Sequence, residues 1–164
     1  MSQQQDKVLN QVFTSGYNYT RSTGPIVGRF LTELRLRKIV GIRGSDGKVI
    51  VPPVEYDPVT AAELTEFVPV KDTGAVQTWS WVKHPRPKHL LQQPFAWALI
   101  LMDGADTPMM HMVDAGSEDS MATGMRVKVR WADEPKGFID DMAYFVPESS
   151  SDEAKPLVKG EKLA

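Results

Sequence analysis

FAWALILM, residues 95–102, is an unbroken run of eight apolar residues. The run is short for a helix and has no polar side, so it predicts a strand covered on both faces. Downstream, MRVKVRW (125–131) alternates without a fault, with Val127 and Val129 on one side and Arg126, Lys128 and Arg130 on the other. A period of two marks a half-buried strand with a solvated basic face. Upstream, QTWSWV (77–82) is rich in β-formers and sets Trp79 and Trp81 on one face. Segments 109–113 and 141–146 bring the strands to five, and Asp103-Gly104 supplies the turn after the apolar run. Five short strands with turns between them predict a small barrel or sandwich.

The chain on the N-terminal side reads differently. Residues 1–22 are polar, with Phe13, Tyr17 and Tyr19 scattered through them and no period, and predict an extended arm. A helix follows. Thr23 or Gly24 supplies its cap, Pro25 suits the first turn, and Ile26, Val27, Phe30, Leu31 and Leu34 form one apolar stripe. GIRGSDGKVIVPPVEYDPVT (41–60) predicts two tight turns around a short strand at 49–51, ended by Pro52-Pro53. Such a segment cannot build a core alone. After Pro147 the tail SSSDEAKPLVKGEKLA is polar and is expected to be mobile.

A chain of 164 residues suits one domain with an appendage, and at that size burial of roughly 70% of the unfolded surface gives one ordinary core. No apolar stretch approaches the ~18 residues of a membrane helix, so no membrane association is expected. The start MSQQQDKVLN has no apolar stretch of the kind that drives export, so a cytoplasmic location is expected. The chain has no cysteine, which excludes disulfides, thiolate nucleophiles and cysteine-ligated zinc. The net charge of −2 is unevenly spread: residues 1–50 carry eight Lys/Arg against three Asp/Glu, and residues 103–153 four against twelve. That asymmetry suits docking to a protein better than tracking a polyanion.

Candidate chemistry is sparse. His84, His89 and His111 lack the helical spacing of metal ligands, and GxSxG, P-loop and GxGxxG motifs are absent. Asp140-Asp141 and Glu118-Asp119 read as solvated turn carboxylates, and His111 as a satisfied strand histidine. No catalytic residue and no metal ligand is assigned. Lys83, His84, Arg86, Lys88 and His89 gather positive charge in a proline-stiffened loop after the Trp strand. Such a loop either holds a nucleotide's phosphates, with Trp79 or Trp81 beside an adenine ring, or is exposed surface, and the second reading is favoured. Met102, Met109, Met110 and Met112 line an acyl pocket or fill the barrel core, and core is favoured. Phe13, Tyr17 and Tyr19 lie outside every periodic segment and read as partner-interface anchors, with Phe30 of the helix added to that surface.

Arm, helix, turn-rich segment and five strands, in this order, resemble a bacterial and archaeal family of acyl-CoA-associated proteins that pair a rubredoxin-like zinc ribbon with an OB-fold. The resemblance spans about residues 17 to 147. It rests on GPIVGRFLTEL (24–34), GKVIVPP (47–53), GAVQTWSWV (74–82), PFAWALILMDG (94–104) and GMRVKVRW (124–131). It implies a mainly β protein with arm and helix in 1–38, a degenerate ribbon in 39–67, a five-stranded OB-fold barrel in 68–147 and a tail in 148–164. Family ribbons carry C-x2-C, about ten residues and C-x2-C; here those positions hold Arg43, Asp46, Asp57 and Thr60. The spacing survives without one zinc ligand, so the resemblance implies a metal-free ribbon. Arg43 and the two aspartates stand where ion pairs would hold the turns.

The resemblance further implies a non-catalytic companion of thiolase-fold enzymes: thiolases, acyltransferases, or the lipid-transfer-protein-like aldolases of steroid side-chain degradation. Catalytic residues would lie on the partner. The chain is expected to hold no cofactor of its own, and at most to share a coenzyme A thioester with that partner through Lys83, Arg86 and Lys88. Two readings compete. One is a binder of single-stranded nucleic acid using Arg126, Lys128 and Arg130, which the acidic barrel region disfavours. The other is a free-standing acyl-CoA or lipid carrier.

Overall fold

A computed structural model describes residues 12, 13 and 15–150. Residues 1–11, Thr14 and the tail from 151 to 164 lie outside the described residues. In chain order the elements are helix α1 (Pro25–Arg35) and strands β1 (Ile39–Arg43), β2 (Val49–Ile50), β3 (Phe67–Val70), β4 (Thr73–Val82), β5 (Phe95–Met102), β6 (Met109–Val113), β7 (Arg126–Trp131) and β8 (Met142–Pro147). β4 to β8 close into a barrel of order β4-β5-β6-β8-β7, antiparallel except for the β6–β8 pair. That closure leaves a barrel rather than a sandwich, and it is the OB-fold arrangement.

Period and burial agree along the barrel. Ala96, Ala98, Ile100 and Met102 of β5 point inward, as do Val127 and Val129 of β7. The outer side of β5 is covered at one end only. Phe95 lies fully buried in a second cluster with Leu91, Met112, Ala143 and Tyr144, whereas Leu99 reaches the surface. A bulge explains the tryptophans. Val76 pairs with Ile100 but Thr78 with Leu99, so Gln77 is an extra residue. The insertion shifts the phase by one, and Trp79 and Trp81 turn to the same core as Val76, where strict alternation would put Thr78 and Ser80.

Ahead of the barrel stands a second sheet of order β2-β1-β3, whose strands β1 and β3 have no counterpart among the strands predicted from sequence. β3 carries Pro69, which an edge strand tolerates, and FVPV shows no alternation. The small sheet shares the barrel's core: Phe30, Leu34, Ile39, Val49 and Val51 pack in one cluster with Val76, Ile100 and Phe145. Its edge is bonded to the loop after β5. Val49 donates its N–H to the Asp106 carboxylate (2.8 Å) and accepts from the Asp106 N–H (2.8 Å), while Thr107 Oγ1 accepts from the Val51 N–H (2.9 Å).

One expectation about α1 changes. Phe30 is 2% exposed and lies in the shared core, so it is no part of a partner surface: Ile26, Phe30 and Leu34 are the buried line of the stripe, and that line faces the sheet. The cap is the second of the two expected residues. Gly24 is the N-cap, at φ 77°, and no local side chain caps the helix. Glu55 Oε1, from the ribbon, accepts the N–H groups of Ile26 (3.2 Å) and Val27 (3.4 Å) instead, and brings a negative charge to the positive end of the helix dipole. Gly24 is needed twice over, because a Cβ there would stand 2.4 Å from Glu55 Oε1. Glu55→Ala is expected to cost about 1 kcal/mol and to lower the melting temperature by about 3 °C, with Glu55→Gln retaining part of the cap. Unchanged melting of the alanine variant would show that α1 is held by packing alone.

Candidate functional site

The turns of residues 39–67 come first, because the four positions that the resemblance pairs with zinc ligands lie there. Asp57 is buried at 3% exposure and its carboxylate sits between the two turns. Oδ2 accepts the Ser45 N–H from the first turn (2.6 Å); Oδ1 accepts the Val59 (2.7 Å) and Thr60 (2.9 Å) N–H groups from the second. These bonds, the Ser45 one foremost, hold the Asp57 carboxyl down at about 2. The ion pairs expected between Arg43 and the aspartates do not form. Arg43 bonds Glu66 (2.8 Å) and the Gly47 carbonyl, and Asp46 pairs with Lys48 (2.8 Å). A zinc ion does not fit this donor set: the four positions offer no thiolate or imidazole, and both Asp57 oxygens are already taken by backbone amides. One carboxylate therefore links the two turns.

The basic loop after β4 folds over the outer side of β5. His89 packs edge-on to Phe95 (5.3 Å) and Trp97 (6.1 Å), and its Nδ1 accepts the Arg86 N–H. Leu90 and Leu91 fill the cluster beneath it. Lys83 reaches Glu118 (3.6 Å), while Arg86 and Lys88 are exposed. Since Trp79 and Trp81 face the barrel core, the aromatic rings under this loop are Phe95 and Trp97. The pairing of basic loop with Trp79 or Trp81 is not formed. The methionines separate too: Met102 and Met109 lie in the barrel core, Met112 in the outer cluster, and Met110 is 64% exposed, so the four line no common pocket.

On β7 the basic face is largely matched from within. Arg126 forms a two-pronged bond with Asp103 (2.8 and 2.6 Å) and a third with Glu148 (3.0 Å); Arg130 bonds Asp133 (3.0 Å). Arg126 and Thr73 hold the Asp103 carboxyl well below the usual carboxylate range. Guanidiniums so engaged have little charge left for a phosphate backbone. His111 is buried, burial pushes it down to about 4, and its Nδ1 accepts the Met112 N–H, so it is neutral and structural at ordinary pH. Among the described residues no group of three or more His, Cys, Asp or Glu could hold a metal ion, and no helix is long and apolar enough to cross a membrane.

The surface carries the remaining signal. Phe13 (89% exposed), Tyr17 (84%) and Tyr19 (83%) stand free in the irregular segment before α1. Tyr56 and Val59 of the ribbon are also exposed, and sequence reasoning missed them because they sit among turn residues.

Residues 67–132, covering β3 to β7, match the family model for the C-terminal OB-fold domain of ChsH2. Over that segment the barrel is similar to the ChsH2 OB-fold. Two solved structures share the architecture. A protein of unknown function from the DUF35 family of Sulfolobus solfataricus superposes with a TM-score of 0.53 at 23% identity, over 65% of this chain and 78% of that one. A chain of the Ltp2-ChsH2(DUF35) aldolase superposes with a TM-score of 0.58 at 17% identity, over 78% of this chain and 98% of that one. At those identities the likeness shows the fold. No curated protein matches the chain. The closed five-stranded barrel agrees with the OB-fold expected from the resemblance.

Proposed function

We propose that this chain is a non-catalytic partner subunit of a thiolase-fold acyl-CoA enzyme, of which an aldolase is the leading kind. The observation that carries the reading is the ChsH2-type OB-fold together with a likeness spanning 98% of a chain in the Ltp2-ChsH2 aldolase. Two features of the surface support it. No nucleophile, base and oxyanion donor converge among the described residues, and exposed aromatics stand where a partner would cover them. Catalysis would then rest with the partner in the cytoplasm, on a coenzyme A thioester whose phosphates Arg86 and Lys88 touch from their exposed loop, with Lys83 drawn from Glu118.

The test is co-production with candidate thiolase-fold enzymes from the source genome, followed by size-exclusion chromatography and turnover assays. A stable hetero-oligomer is expected, with activity that needs the partner and is absent from this chain alone. In that complex the double variant Arg86→Ala and Lys88→Ala is expected to raise the apparent KM for the acyl-CoA by about tenfold, as loss of charge-assisted phosphate contacts does. Turnover by the isolated chain overturns the non-catalytic role; an unchanged KM removes the loop from the substrate site.

A further inference from the structure

We propose that the arm and the ribbon surface around Tyr56 form one continuous docking face, and that this face clasps the acyl-CoA enzyme proposed above, on whose existence as a partner it rests. Among the described residues three apolar surfaces are exposed. Leu99 and Met110 pair across β5 and β6; Leu36, Phe138 and Ile139 lie near the end of α1 and the turn before β8. The third is larger: Val12, Phe13, Tyr17 and Tyr19 of the arm with Val54, Tyr56 and Val59 of the ribbon.

The two parts of the third surface are joined at a fixed point. Glu55 caps α1, and Gly24, the N-cap just after the arm, lies against the same carboxylate. The arm therefore leaves the body beside Val54 and Tyr56, the neighbours of Glu55 in sequence. Four aromatics and three valines at these exposures present about 800 Å2, taking about 200 Å2 for each aromatic, which is what one side of a stable interface contributes. Neither of the other surfaces reaches half of that.

The composition says what kind of partner fits. Tyrosines give rigid contact area with a polar tip, which suits a protein surface that is apolar in its centre and offers hydrogen-bond acceptors at its rim. Residues 12–24 carry one charge, Arg21, and no carboxylate. The matching surface is thus an apolar groove with an acidic group near its edge. An arm without regular structure wraps such a groove, and its ordering on binding makes the affinity depend steeply on a few anchors.

The experiment uses the full chain and the thiolase-fold enzymes co-produced with it. Dissociation constants are measured for the wild type, the triple variant Phe13→Ala, Tyr17→Ala and Tyr19→Ala, the single variant Tyr56→Ala, and Met110→Ala as the control on the other face. The triple variant is expected to bind about 100-fold more weakly and Tyr56→Ala about tenfold, with Met110→Ala within about twofold of wild type. Because these side chains are exposed, the melting temperature of the free chain should not move, and that separates lost docking from lost folding. Wild type and triple variant binding equally well overturns the docking face and leaves the partner reading standing. Wild type that binds none of the enzymes overturns both. Submicromolar binding of a 20-nucleotide oligo-uridine that disappears in the triple variant assigns the arm to nucleic acid and also overturns the proposal.

Discussion

Asp57→Ala is expected to lower the melting temperature by about 10 °C, since it leaves three backbone N–H groups without their acceptor at the centre of the ribbon. Amide exchange should report the loss at Ser45, Val59 and Thr60 before it reports anything in the barrel. Asp57→Asn keeps one acceptor oxygen and should lie between. The pH dependence follows from the same bonds. The folded carboxyl titrates at about 2, below the ordinary 3.8 of an unfolded aspartate, so its contribution is whole above about pH 4. It is lost as the pH falls from there through about 2. Urea midpoints measured at pH 6 and pH 3 should therefore drop more for wild type than for Asp57→Asn. Equal drops, or an alanine variant that melts like wild type, would show that packing alone holds the two turns.

A second large effect is expected at Leu34, which is fully buried on the inner line of α1. Leu34→Ala should cost about 2–5 kcal/mol, the range for emptying a leucine site in a core. What matters more is how the loss appears. Leu34 packs in one cluster with Val51 of the ribbon segment and Ile100 of the barrel. Arg37, at the end of the helix, also reaches the carbonyls of Ala132 and Asp133 just past β7. A shared core unfolds together, so one calorimetric transition should shift downward as a whole. Two separated transitions would mean that helix and ribbon melt away from the barrel.

The barrel was legible in the sequence because its strands obey simple periods. The run at 95–102 and the alternation at 125–131 each announce which faces are covered, and the structure agrees in all but Leu99. The ribbon was less so. β1 and β3 are short, one contains a proline, and their pairing joins residues 39–42 to 67–70, a contact that no local pattern encodes. Glu55 and Asp57 were hidden for the same reason. A carboxylate that caps a helix 29 residues away, or bridges two turns, looks like any turn acid until the turns are folded. Phe30 was misplaced by counting aromatics rather than following the stripe: at three-to-four-residue spacing it stands in line with Ile26 and Leu34. The phase shift at Gln77 is likewise silent, because a bulge has no residue signature of its own.

Holding the two turns by the Asp57 carboxylate has a consequence for how the chain comes to maturity. A ribbon closed by thiolates must be loaded before it holds its shape, and it fails when zinc is scarce or when peroxide oxidises the ligands. In this chain the linking group is synthesised with the polypeptide, and with no cysteine anywhere there is no thiol for an oxidant to attack. The ribbon still waits for the barrel it packs on, but its assembly takes no account of the cell's zinc supply or thiol balance.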